Sequence, residues 1–146
     1  MKYLYHCSSE VGLEVFTPRP LDSYHDPSLK GEPVLYLTSN RQYASAFSFP
    51  WNDNLATLSS YDNETFTIFV DHSLKKVIES PREISIYTFE YNAGLMTPIK
   101  GNNTPEWIVR KPIKVIGEQR YKSAKECMSK NGLLVKYTKD LKSLNW

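Results

Sequence analysis

Apolar residues in this chain recur in short alternating runs and seldom in long helical periods, and that pattern most limits its possible folds. Ile84-Ser85-Ile86-Tyr87-Thr88-Phe89-Glu90-Tyr91 alternates throughout, as a strand with two different faces does. Phe66-Thr67-Ile68-Phe69-Val70 adds β-branching to alternation. Tyr3-Leu4-Tyr5, Val34-Leu35-Tyr36-Leu37, Glu106-Trp107-Ile108-Val109 and Ile113-Lys114-Val115-Ile116-Gly117 read as further strands, and Leu133–Tyr137 as a last strand or extended arm. Leu74–Ile78 suits helix or strand. Helices are few and short. Ser39 with Gln42 forms a capping box opening a helix with Tyr43, Ala44 and Phe47 on its apolar face, stopped by Pro50. Ser123 with Glu126 opens another, closed by Asn131-Gly132. Two irregular stretches remain, a Pro- and Asp-rich loop from Pro18 to Pro33 and the segment Trp51–Asn63. Loops this long are often functional. Without regular βαβ alternation, the expected class is α+β, in one domain over residues 1–146.

Composition narrows the function classes. The net charge is +2, and Lys122, Lys125, Lys130, Lys136, Lys139 and Lys142 are interspersed with polar and apolar residues, as on a solvated surface. A nucleic-acid binder carries a more concentrated basic footprint. Cys7 and Cys127 have neither the clustered ligands of a zinc site nor the density of a disulfide framework, so no metal is expected. The start, Met1–His6, enters a strand pattern directly with no signal-peptide h-region, and no apolar run is long enough to span a bilayer. The expectation is a cytoplasmic protein with no membrane association, although a toxin exported by another route has the same appearance.

Three strands each carry a residue that a core does not require. His6 ends the first strand. It pairs poorly with Cys7 as a nucleophile couple, because adjacent strand residues point to opposite faces. Tyr36 lies in the second strand and can approach Phe47 across the strand–helix corner, leaving a slot for a flat heteroaromatic ring. Glu106 heads an apolar strand, where a carboxylate is costly unless paired or exposed in a cleft. Each also has a plain structural reading: a hydrogen-bonded histidine, an aromatic core cluster and a solvent-facing edge position. Asp71-His72 and Tyr24-His25-Asp26 lack a nucleophile at interpretable spacing and read as turn and loop residues.

Taken in order, these segments resemble the His-Tyr-Glu branch of the ADP-ribosyltransferases, which includes diphtheria-toxin-like enzymes and the poly-ADP-ribose polymerases. Tyr5-His6-Cys7-Ser8 matches the aromatic-His-Gly-small motif, and Leu35-Tyr36-Leu37-Thr38-Ser39-Asn40-Arg41 with Phe47 is similar to the second motif and its aromatic helix. Glu106-Trp107-Ile108 is like the third. The resemblance implies a split mixed or antiparallel sheet with a few short helices. It also implies NAD as a consumed substrate, whose ADP-ribose passes to a protein or nucleic-acid acceptor that the motifs do not identify.

By the same resemblance His6 holds the adenine-side ribose, and Tyr36 and Phe47 sandwich nicotinamide. Glu106 takes the 2′-hydroxyl of the ribose beside the scissile bond. Cys7, Ser8, Thr38 and Arg41 line the dinucleotide, with His6, Tyr36 and Glu106 as the central catalytic residues around one cleft. Two positions depart from the family. Cys7 replaces the usual Gly, and Thr104, two residues before Glu106, replaces the acid or amide of arginine-specific relatives. Rival readings are a non-catalytic NAD or ADP-ribose binding module and an RNA 2′-phosphotransferase. The last needs paired cations around a phosphate, for which Arg41 and Arg110 are the candidates.

Overall fold

The computed structural model describes residues 2–20, 32–62, 64–99, 106–139 and 141. The alternating runs become strands: β1 (Tyr3–Ser8), β2 (Val15–Phe16), β3 (Arg19–Pro20), β4 (Pro33–Thr38), β5 (Ala56–Ser59), β6 (Thr67–Asp71), β7 (Ile84–Glu90), β8 (Met96–Pro98), β9 (Glu106–Val109), β10 (Ile113–Lys114), β11 (Gly117–Tyr121) and β12 (Leu134–Thr138). Among the described residues three short α-helices join them: α1 (Arg41–Ser45), α2 (Lys75–Glu79) and α3 (Ala124–Lys130). The main sheet runs β11-β7-β1-β4-β9-β8, with β3 also on β4. Its pairings are antiparallel, whereas β12 joins β6 in parallel within a second sheet, β12-β6-β5. The protein is an α+β fold of mostly antiparallel strands.

Alternation along the main sheet separates two apolar layers. On one face Leu4, Leu35, Leu37, Tyr87, Phe89 and Val109 pack against Phe16 and Ile113 of the small β2–β10 ribbon. On the other face Cys7, Ile84, Ile86 and Tyr121 pack with Cys127 of α3, and beyond them Tyr43, Ala124 and Met128 pack with Ile68 and Val70 of the second sheet. Burying such side chains stabilises by about 1.5–3 kcal/mol each, so the two layers fix which residues of β1, β4 and β9 face which way.

Some local expectations shift. The first helix is capped by Asn40, one residue later than Ser39: Thr38 Oγ1 accepts from the Asn40 N–H at 3.1 Å, carrying the turn forward. Asn40 Oδ1 then accepts from the Tyr43 N–H at 2.9 Å, and Gln42 accepts from the Phe66 N–H instead of closing a capping box. The Ser123 cap forms as read, with Ser123 Oγ accepting from the Glu126 N–H at 3.0 Å. Leu74–Ile78 resolves as the end of a 3-10 turn leading into α2, and Asp71 caps that turn through the Ser73 N–H. The run Ile113–Gly117 breaks into β10 and the start of β11, and Trp51–Asn63 contains β5. Tyr24-His25-Asp26 and the loop 100–105, including Thr104, lie outside the described residues.

Gly132 follows α3 with φ of +78°, and a Cβ there would sit 3.1 Å from Gln42 Nε2. Gly132→Ala therefore costs on the order of 1–2 kcal/mol, measurable as a lower urea midpoint.

The feature that shapes the centre of the molecule is a fork. β1 pairs with β7 along its whole length, from Tyr3↔Glu90 to Ser8↔Ser85. With β4 it makes one pair, Tyr5↔Thr38, after which the two strands part.

Candidate functional site

β4 and β9 are in register so that Thr38 lies opposite Glu106 and Tyr36 opposite Ile108. Directly opposed residues share a face. Tyr5, Thr38 and Glu106 thus form one row across three strands, with Tyr36 two residues along on the same face. The Tyr43 hydroxyl of α1 donates to Glu106 Oε1, beside this row. Glu106 is 5% exposed, so the edge-position reading does not apply. Its carboxyl group is buried against the Tyr43 phenol. Such a group persists only where its desolvation is offset by hydrogen bonds.

His6 enters the fork. Its Nδ1 lies 2.8 Å from the Tyr36 carbonyl oxygen, which can only accept, so Nδ1 carries the proton and Nε2 is left as an acceptor. The imidazole thus replaces the ladder bond that β1 no longer supplies. Its ring packs edge-on against Phe16 at 4.8 Å, and His6 is registered with Tyr87, both on the opposite face from Glu106. The structure therefore places Tyr36 and Glu106 diagonally across β4 and β9 on one face and ties His6 to the Tyr36 backbone. The three side chains do not converge on a single face. Tyr36 and Glu106 share one face, whereas His6 lies on the other and reaches only the Tyr36 backbone, so these side chains do not form the single cleft expected of them.

Burial lowers the His6 pKa from 6.5 to about 4, partly opposed by the Tyr36 hydrogen bond, and the ring is neutral at pH 7. The folded pKa lies below the unfolded one, so the unfolded chain binds the extra proton first as pH falls. Stability from this site is fully present above about pH 6.5 and declines as pH drops toward 4. Urea midpoints measured across that window should fall less steeply in His6→Gln than in the unmodified protein.

The remaining candidates divide. Cys7 is buried with Ile84, Ile86, Tyr121 and Cys127, so its Cβ points into a core cluster. A hydrogen bond with Cys127, together with burial, raises its pKa well above the usual thiol value. It is a packed thiol and carries no nucleophile. Ser8 Oγ accepts from the Glu10 N–H at 3.0 Å, and Thr38 Oγ1 from Asn40, so both hydroxyls shape turns. Phe47 packs on Tyr43 at 5.3 Å and on Trp51 at 5.0 Å, forming an aromatic series at the end of α1. Arg41 is half-buried, with its guanidinium carbon 5.0 Å from the Tyr5 ring centroid.

Tyr43, Tyr121 and Asn131 belong to this region and were not legible as site residues. Tyr43 reads in the sequence as an apolar helix position, and nothing in its spacing shows that its hydroxyl reaches Glu106. Among the described residues no group of three or more His, Cys, Asp or Glu side chains is placed to hold a metal ion, and no helix is long and apolar enough to cross a membrane. Comparison with protein-family models, curated proteins and solved structures returns no match.

Proposed function

We propose that the chain is an ADP-ribosyltransferase-like protein that cleaves the nicotinamide–ribose bond of NAD and passes ADP-ribose to an acceptor. One observation carries this reading: the three motif strands, spread over a hundred residues of sequence, are the adjacent strands β1, β4 and β9, with Glu106 one strand from Tyr36 and His6 bonded to the Tyr36 backbone. The resemblance assigns His6 and Glu106 to opposite ends of the dinucleotide. A ligand lying across the fork touches His6 Nε2 from one side and the Glu106 row from the other.

In this reading Tyr36 and Phe47 hold the nicotinamide, and Glu106 accepts from the ribose 2′-hydroxyl. As nicotinamide departs, positive charge develops on the ribose, and a carboxylate preoriented in a water-poor site stabilises it without reorganising. The same carboxylate then assists deprotonation of the acceptor.

A second reading is favoured by the Tyr43 bond. With Oε1 already accepting from a buried phenol, Glu106 resembles a structural acid, and the chain fits a binding module that recognises NAD or ADP-ribose without turnover. Calorimetry with NAD, followed by timed assay of free nicotinamide, separates the two. Binding with steady nicotinamide formation supports the transferase, binding alone supports the module, and no binding removes both.

A further inference from the structure

We propose that Arg41, with the Tyr121 hydroxyl, forms an anion site that takes the diphosphate of a dinucleotide ligand. Arg41 Nε donates to Asn131 Oδ1 at 3.2 Å and Nη2 to the Tyr121 hydroxyl at 3.3 Å, while the guanidinium lies over the Tyr5 ring. All three partners are neutral. Among the described residues Arg41 forms no ion pair with an acidic side chain. A half-buried guanidinium is ordinarily matched by a carboxylate or by a ligand oxyanion, because neutral partners offset only part of its desolvation.

The geometry is that of a held donor. A guanidinium has five N–H groups in a rigid fork, and two of them fix its orientation here, so the others remain for a planar or tetrahedral oxyanion. The Tyr121 oxygen accepts from Arg41 and also from Asn131 Nδ2, at 3.1 Å. With both acceptor positions filled, its own O–H turns away as a further donor. Asn131 is locked in turn by its bond to the Cys127 carbonyl at 2.7 Å, so α3 holds the cluster rigid. Tyr5, beneath Arg41, is the first residue of the Tyr5-Thr38-Glu106 row. Two strand spacings, about 10 Å, separate Tyr5 from Glu106, which puts the anion site beside the proposed ribose site and not within it.

The diphosphate identity rests on the NAD reading, whereas the oxyanion site itself does not. Isothermal calorimetry on the full chain tests both, using inorganic pyrophosphate, ADP-ribose and adenosine. The unmodified protein should bind pyrophosphate and ADP-ribose saturably. Arg41→Gln should weaken both about tenfold or more and leave adenosine unaffected, and Arg41→Lys should recover part of the loss because it keeps charge without the fork. Equal ADP-ribose affinity in Arg41→Gln, or no saturable pyrophosphate binding by the unmodified protein, overturns the proposal. If Arg41→Gln does not fold, Arg41→Lys and Tyr121→Phe decide: weakened pyrophosphate binding in both supports the site, and unchanged binding in both overturns it. Arg41-dependent ADP-ribose binding without nicotinamide release from NAD upholds this site while removing the catalytic reading.

Discussion

Glu106→Gln is expected to lower nicotinamide release from NAD by at least about 10²-fold while leaving the fold and NAD affinity nearly intact. The magnitude follows from the cost of deleting one preorganised electrostatic group at a site where charge develops, roughly 10²–10³ in rate. The amide is nearly isosteric and keeps an acceptor oxygen for the Tyr43 hydroxyl, so the buried hydrogen bond survives. What it loses is the negative charge facing the ribose. A binding contribution shared equally by ground state and transition state would instead appear as a raised KM with kcat unchanged. Steady-state assays of free nicotinamide, alongside thermal melts of both proteins, check the prediction. Unchanged NAD cleavage in the variant would refute the role of Glu106.

The second large effect is on stability. Tyr43→Phe keeps the ring that packs on Phe47 and Phe66 at 5.3 and 5.4 Å but deletes the hydroxyl that serves Glu106. Deleting one partner of a buried hydrogen bond costs about 1–3 kcal/mol, more when the remaining group is charged. The same substitution should slow nicotinamide release, because a carboxyl group without its orienting phenol samples more rotamers. A double-mutant cycle with Glu106→Ala, which removes the acceptor that Glu106→Gln keeps, isolates the pair. The account predicts a coupling energy of about 1 kcal/mol or more in urea denaturation. Additive single-variant losses would mean that Tyr43 acts through ring packing alone.

Much of the architecture was readable because strand patterns here are strong and local. Ile84–Glu90 forms a seven-residue strand, and Glu106–Val109 forms a strand with the expected bounds. Short elements lacked such a signal. β2 and β10 have two residues each, and β8 three, and they exist because their partners do. The α1 cap moved from Ser39 to Asn40 because Thr38 Oγ1 takes the Asn40 N–H and Asn40 Oδ1 takes the Tyr43 N–H, a succession that spacing does not reveal.

The site was legible in part for a related reason. Residue type marked Glu106 as costly in an apolar strand, and the burial and phenol partner show how that cost is met. Pairing and register emerge only from long-range contacts, so neither the Thr38↔Glu106 match nor the early parting of β1 from β4 is visible in one dimension. That parting explains the main difference from expectation. Because the ladder stops after Tyr5, the His6 ring turns into the fork to satisfy the Tyr36 carbonyl and rests on Phe16. The Cys7 side chain, at the position where the family has Gly, packs into a core cluster.

The account stands or falls on whether His6 and Glu106 belong to one ligand site although their side chains lie on opposite faces. An NMR titration with NAD, following the His6 Nε2 and Glu106 side-chain carboxyl resonances in one labelled sample, measures this directly. The account predicts that both shift and saturate together with a single Kd. Movement of one without the other, or of neither at saturating NAD, would contradict it.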